Sequence, residues 1–212
     1  HRSRVRSIRE VVESVAPDVT VSFMDRVNVF AIPAVTTGAV VVSERNNPMM
    51  STSSLMIRLL RRLYYPKASR VVCLSKGVCE ALHWLPSDKK EVIYNPIMVE
   101  PSATAEEIPE FTFQQDRHYF IGVGRLTEQK GFDTLVHAFY SVAGSREDWD
   151  LVIFGEGHLR TGLIALIEKL GLKRRVFLPG LTKQIGAALK ESDVFVLSSN
   201  YEGFGNVIVE AM

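Results

Sequence analysis

Eight short runs rich in Val, Ile and Phe punctuate the chain: VTVSF (19–23), AVVVS (39–43), RVVCL (70–74), EVIY (91–94), HYFIGV (118–123), DLVIF (150–154), RVFL (175–178) and DVFVL (193–197). Each is apolar almost throughout. A strand with one wet face alternates polar and apolar residues, so a run without alternation calls for cover on both faces, as in a parallel sheet sandwiched by helices. The intervening segments supply that cover. In GFDTLVHAFYSVA (131–143) Leu135, Val136, Phe139 and Val142 recur at helical spacing, and HLRTGLIALIEKLGL (158–172) repeats the pattern up to Gly171, a suitable C-terminal stop. Strand and helix alternate along the whole length, which is the α/β signature.

The alternation has a seam. NPIMVEPSATAEEIPEFTFQQDR (95–117) carries three prolines and several acids with no clear period, the composition of a linker. The chain thus divides into residues 1–95, a linker over 96–116 and residues 117–212, with four strand candidates on each side. Doubly wound domains commonly carry five or six strands, and a last helix begun near Asn206 runs only about five residues before the sequence ends. Both domains are therefore expected to be incomplete, the chain being a fragment of a longer polypeptide.

Bulk chemistry excludes several classes. At 212 residues and 46% hydrophobic composition the chain can bury a sizeable core, and a net charge of +1 from 25 basic and 24 acidic side chains gives no case for nucleic acid or an anionic membrane as an obligatory partner, leaving only local patches. Cys73 and Cys79 have no second pair, so they are expected to be free, buried or half-buried thiols. No apolar run reaches the roughly 18 residues that span a bilayer, and no signal peptide is evident, so the expected location is cytoplasmic.

Two glycine-rich turns carry the chemistry. In GVGRLTEQKGFDTL (122–135), Gly122 and Gly124 allow a tight bend at the carboxyl end of a strand, where open α/β sheets bind ligands. Arg125 and Lys130 then place two cations beside the start of the next helix, whose free N–H groups favour an anion such as phosphate. The spacing fits neither a Walker loop nor a true G-x-G-x-x-G. In YEGFGNVIVEAM (201–212), Gly203, Phe204, Gly205 and Asn206 form a second such turn. Glu210, one helical turn beyond Asn206, is suited to accept both hydroxyls of a vicinal diol such as ribose, and Glu202 precedes the turn.

Two further stretches carry both a functional and a bland reading. DWD (148–150) copies an Asp-x-Asp metal motif, but it precedes its strand and lies opposite the ligand crevice, so a solvated turn is expected. In SLMIRLLRRLYYPKASR (54–70), Leu55, Leu59 and Leu63 make an apolar stripe among the basic Arg58, Arg61, Arg62 and Lys67. A helix with a solvated face explains it, and so does contact with a membrane surface or a lipid-linked diphosphate. The histidines His83, His118, His137 and His158 show no metal spacing and are expected to be structural.

GRLTEQKGFDTLV, LVIFGEG, RVFLPG and DVFVLSSNYEGFGNVIVEAM, in that order, resemble the C-terminal half of GT-B glycosyltransferases, specifically family 4 of the retaining nucleotide-sugar transferases. The pair Glu202 and Glu210 matches that family's Glu-x7-Glu element. VSERNNP (42–48) and LSKGVCEAL (74–82) are more weakly similar to its acceptor-side domain, especially in enzymes that extend lipid-linked glycans, while the family's N-terminal glycine-rich loop has no counterpart. The resemblance implies two Rossmann-like domains, acceptor-side then donor-side. Arg125 and Lys130 would bind the donor diphosphate, with Gly124 and the amides of Gly203, Phe204, Gly205 and Asn206. Glu210 would hold the ribose and Glu202 the transferred sugar. The base would lie near Gly155, Glu156 and the 178–181 loop that includes Leu181. It further implies a UDP-sugar donor, a glycan or lipid-linked acceptor at the inner face of a membrane, retention at the anomeric carbon, and no metal. A GT-B nucleotide-sugar epimerase, or a nucleotide-sugar binding module without turnover, would carry the same motifs.

Overall fold

The computed structural model describes residues 2–48, 54–96, 108 and 110–212. All eight apolar runs form strands. They group into two four-stranded parallel sheets, ordered β1-β2-β3-β4 and β7-β6-β5-β8. The chain divides into two compact units, one comprising His1–Pro96 with Tyr201–Phe204, the other Ile97–Asn200 with Gly205–Met212.

In the first unit α1 (Arg2–Val15) leads into β1 (Val19–Phe23), α2 (Asp25–Ala34), β2 (Ala39–Glu44), α3 (Leu55–Tyr64), β3 (Arg70–Cys73), α4 (Lys76–Ala81) and β4 (Lys90–Val92). The absence of alternation in the central strands is matched by burial: Val42, Val71 and Cys73 are fully inaccessible, packed with Val29, Phe30 and Ile57 of the helices. β1 departs from the expectation of two covered faces. As the edge strand it leaves Val19, Val21 and Phe23 each more than 50% exposed, and with side chains alternating across a strand these three share one face.

α3 starts where Ser54 accepts a hydrogen bond from the Ile57 N–H at 3.4 Å, a side-chain N-cap. Its leucine stripe faces outward, with Leu55, Leu59 and Leu63 at 75%, 68% and 55% exposure. Arg61, grouped from the sequence with the basic Arg58, Arg62 and Lys67, turns inward instead. Its side chain is buried, its guanidinium 3.2 Å from Asp25 and 3.4 Å from Glu44. Glu44 also accepts a 2.7 Å hydrogen bond from Tyr65, whose hydroxyl accepts one from Asn28, and Ser22 donates to Asn28. Helical position explains the inversion, since Arg61 lies one turn beyond the buried Ile57. Cys73 and Cys79 are free thiols, one buried and one half-buried.

The second unit runs β5 (His118–Val123), α5 (Phe132–Ala143), β6 (Trp149–Phe154), α6 (Arg160–Lys169), β7 (Val176–Gly180), α7 (Ile185–Lys190), β8 (Val194–Phe195) and α8 (Asn206–Glu210). On one face of its sheet, Leu135, Val136 and Phe139 of α5 meet Leu163 and Ile167 of α6 over Leu151 and Ile153. Val142 is more exposed than its helical register suggests, at 41%. On the other face Ile108, Phe111 and Phe113 pack with Tyr119 and Phe177. Much of the expected 96–116 linker lies outside the described residues, but this aromatic part of it belongs to the core of the second unit.

The DWD stretch also differs from expectation. Asp148 is exposed, whereas Asp150 is 3% exposed, held by Arg117 through two 2.6 Å bonds and by Arg175 at 2.7 Å. Asp150 is an ion-pair hub at the amino end of the sheet, not a solvated turn. Both of its carboxylate oxygens are engaged by arginine.

Candidate functional site: the glycine-lined strand ends of the second unit

The carboxyl ends of β5, β6 and β7 run on into or finish in glycine, and the ladder continues through them: Gly124 donates to the Phe154 carbonyl at 3.0 Å and Gly155 to that of Gly180 at 2.7 Å. Gly155 has φ +146°, and a Cβ there would collide with the Gly124 carbonyl. Backbone meets backbone at this point, and the lack of Cβ atoms lets other groups approach the main chain closely. The expected 178–181 loop is in part strand, since Leu178 and Gly180 complete β7, and Leu181 beyond it is exposed.

Beyond these strand ends, the turn to α5 is pinned by Leu126. That side chain is fully buried, its N–H donates to the Glu156 carbonyl at 2.9 Å, and its own carbonyl accepts from Leu159 at 3.1 Å. With Leu126 turned in, its neighbour Arg125 turns out. Arg125 is exposed and, among the described residues, has no ion pair or side-chain hydrogen bond. Lys130 is placed differently. Its methylene stem lies across Gly124, so close that a Cβ there would sit 2.9 Å from the lysine Cε. The glycine that bends the strand end thus also seats the lysine.

Residues Glu128–Lys130 form a single 3-10 turn, which closes on Gly131 in the left-handed region, φ +58° and ψ +34°. Three consecutive carbonyls of this turn are claimed by the segment after β8. Asn200 Nδ2 donates to Glu128 at 2.6 Å, Asn200 N to Gln129 at 2.8 Å, and Ser198 Oγ to Lys130 at 2.7 Å. Gly131 packs against the Ser198 carbonyl with no room for a Cβ. The Glu128 carboxylate is paired with His158 at 3.0 and 3.1 Å, and that hydrogen bond holds it below the usual carboxylate range. Glu156, expected near the base, has its carboxylate 2.9 Å from Arg160, which also donates to the Leu178 carbonyl.

The structure therefore brings Gly124, Lys130, Gly155 and the backbone of Glu156 together at one sheet edge. Gly205, in the left-handed region at φ +74°, starts α8, which carries Asn206 and Glu210 as exposed residues of the same unit. Glu202, Gly203 and Phe204 group with the first unit, where Gly203 packs against the Arg45 backbone and the Phe204 ring lies 5.7 Å from that of Tyr94. Sequence reasoning missed Ser198 and Asn200. The signal for both was SSN (198–200), directly before Tyr201, since short polar side chains that bond nearby main chain favour turns. The backbone bond of Asn200 to Gln129 had none.

A turn of this construction, with the Lys130 side chain over glycine backbone and a helix start beyond, can receive an anion. A family model for "Glycosyl transferases group 1" matches residues 104–212. This chain belongs to that family. As a group 1 chain it is 32% identical over 201 residues to the N-acetylgalactosamine-N,N'-diacetylbacillosaminyl-diphospho-undecaprenol 4-alpha-N-acetylgalactosaminyltransferase of Campylobacter jejuni, covering 90% of this chain and 53% of that one. It is 29% identical to an uncharacterized glycosyltransferase of Methanocaldococcus jannaschii, covering 99% of this chain and 56% of the relative. The chain thus spans about half the length of these relatives. Among solved structures, Anabaena HepE in complex with UDP superposes with TM-score 0.80 at 19% identity over 98% of this chain and 60% of that one. Staphylococcus aureus TarM, solved with fondaparinux, alpha-GlcNAc-glycerol and UDP, gives 0.77 at 18%, over 98% and 42%. The fold is GT-B, with both domains partial.

Proposed function

We propose that this chain carries the donor half of a retaining glycosyltransferase that moves a sugar from a UDP-sugar to a glycan acceptor, lipid-linked and presented at the cytoplasmic face of a membrane. The observation that carries the proposal is the seating of Lys130 across Gly124, beside the glycine-lined strand ends. Cleaving a sugar–phosphate bond develops negative charge on the departing diphosphate, and a preorganised cation there acts where the charge appears. Removing one such donor raises the barrier by about 2.7–4 kcal/mol. In this proposal Arg125 and Lys130 bind the diphosphate and supply the charge that a divalent metal would bring. Amides of the 203–206 turn add to that cradle, Glu210 holds the ribose, Glu202 the transferred sugar, and Gly155, Glu156 and Leu181 border the base.

UDP is favoured because HepE and TarM were solved with it, and the lipid-linked acceptor because the Campylobacter relative is named for a diphospho-undecaprenol substrate. Membrane contact is assigned to 54–70, where Leu55, Leu59 and Leu63 are exposed beside Arg58 and Arg62. Next to this stripe, Leu60 and Tyr64 join Val5, Phe30 and Pro33 around an apolar groove of about 470 Å³ edged by Arg6 and Arg9. No helix among the described residues is long and apolar enough to cross a membrane.

Titration with UDP, GDP and ADP by calorimetry, with and without a chelator, tests the donor assignment. UDP is expected to bind, independently of chelator, and Lys130→Ala and Glu210→Ala each to weaken it about tenfold or more. Unchanged affinity in both variants, repeated on the complete polypeptide, would refute it.

A further inference from the structure

Lys130 sits in a 3-10 turn of three residues followed by a left-handed glycine. Such a turn has poor internal hydrogen-bond geometry and rarely holds its shape alone. Its carbonyls are nevertheless all engaged, and by one partner segment: Glu128 and Gln129 by Asn200, Lys130 by the Ser198 hydroxyl. Those donors lie about seventy residues away in sequence, at separations of 68 to 72 for the side-chain bonds. β8, which delivers the segment, is anchored to β5 by the Phe120–Val194 and Ile121–Phe195 pairs. The lysine's direction is thus fixed from below by Gly124 and from behind by this three-carbonyl clasp.

We propose that Ser198 and Asn200 are positioning residues for the donor diphosphate. They touch no ligand themselves. By holding the Glu128–Lys130 carbonyls they keep the Lys130 backbone from sampling other conformations, so that little freedom is lost when the diphosphate binds. Freedom not lost on binding is affinity retained. The proposal rests on the assignment of the 124–131 turn as the diphosphate site, and it predicts that the effect of the clasp runs through Lys130.

The test uses the complete polypeptide with Ser198→Ala and Asn200→Asp combined. The second change keeps the side chain's shape but removes the donor. In the ligand-free protein, amide exchange at residues 128–132 is expected to accelerate at least about tenfold, with the middle of α5 unaffected. UDP affinity is expected to fall about tenfold. In a Lys130→Ala background the same pair of changes is expected to cost less than about twofold, because the group being positioned is gone. Ser198→Thr alone, which keeps a hydroxyl, should retain most of the wild-type affinity. Unchanged exchange at 128–132 overturns the clasp even if no nucleotide binds at all, whereas failure of the wild type to bind UDP counts against the donor assignment alone. A tenfold loss that persists undiminished without Lys130 would show a general structural effect and overturn the positioning role.

Discussion

Glu44 illustrates how far a residue's environment can depart from its sequence context. It ends β2 with 1% of its surface exposed. Burial pushes its carboxyl up to about 7, against the opposing pull of Arg61 and the Tyr65 hydrogen bond. A carboxyl raised in the folded state keeps its proton over a range in which the unfolded chain has already released it, so stability declines as pH rises from about 4.5 to about 7. A shift of that size corresponds to roughly 3 kcal/mol. Glu44→Gln is therefore expected to flatten the fall in unfolding free energy between pH 5 and pH 7.5, measured by urea denaturation at each pH. An unaltered slope would place the titration elsewhere. Neither Glu44 nor its partner Arg61 is marked as buried by its neighbours in sequence, SERNNP and RLLRRLYY. Asp150 is similar, since its burial depends on Arg117 and Arg175 arriving from 33 and 25 residues away.

Strands and helices were far more legible than single side chains. The eight apolar runs coincide with β1 to β8 to within a few residues, and the 3.6-residue pattern locates α5 and α6. Hydrophobic periodicity reports what an element buries, whichever partner covers it. It could not say which strand lies at an edge, and β1 shows the difference, with an apolar face left exposed. The close approach of strand ends was only half readable. Gly124 and Gly155 were singled out, but the contact between them arises because β5 and β6 pair in parallel with Val123 opposite Phe154. Gly155→Ala should destabilise the chain by roughly 2–4 kcal/mol, since it combines an unfavourable φ with a backbone collision. Chemical denaturation measures this, and a loss below about 0.5 kcal/mol would mean that this contact relaxes readily.

For the whole molecule, the exposed leucines of α3 gain meaning only if a surface covers them. Vesicles containing anionic lipid are expected to retain the chain at low salt, and the Arg58→Glu/Arg62→Glu pair to reduce retention at least about fivefold, near 1 kcal/mol per basic residue at a charged bilayer. Equal retention of both proteins would sink the membrane assignment of 54–70. Arg61 is left out of this pair because it belongs to the buried Glu44 and Asp25 cluster. From the sequence alone, the chain's class, its strand order along the chain and its family motifs were determined, because these depend on local periodicity and on residue types at short spacing. Tertiary structure decided the sheet order, the buried ion pairs and the clasp of Ser198 and Asn200 on the Lys130 turn. Each of these joins residues from 17 to more than 70 positions apart, and one-dimensional spacing carries no record of which distant donor will meet which carbonyl.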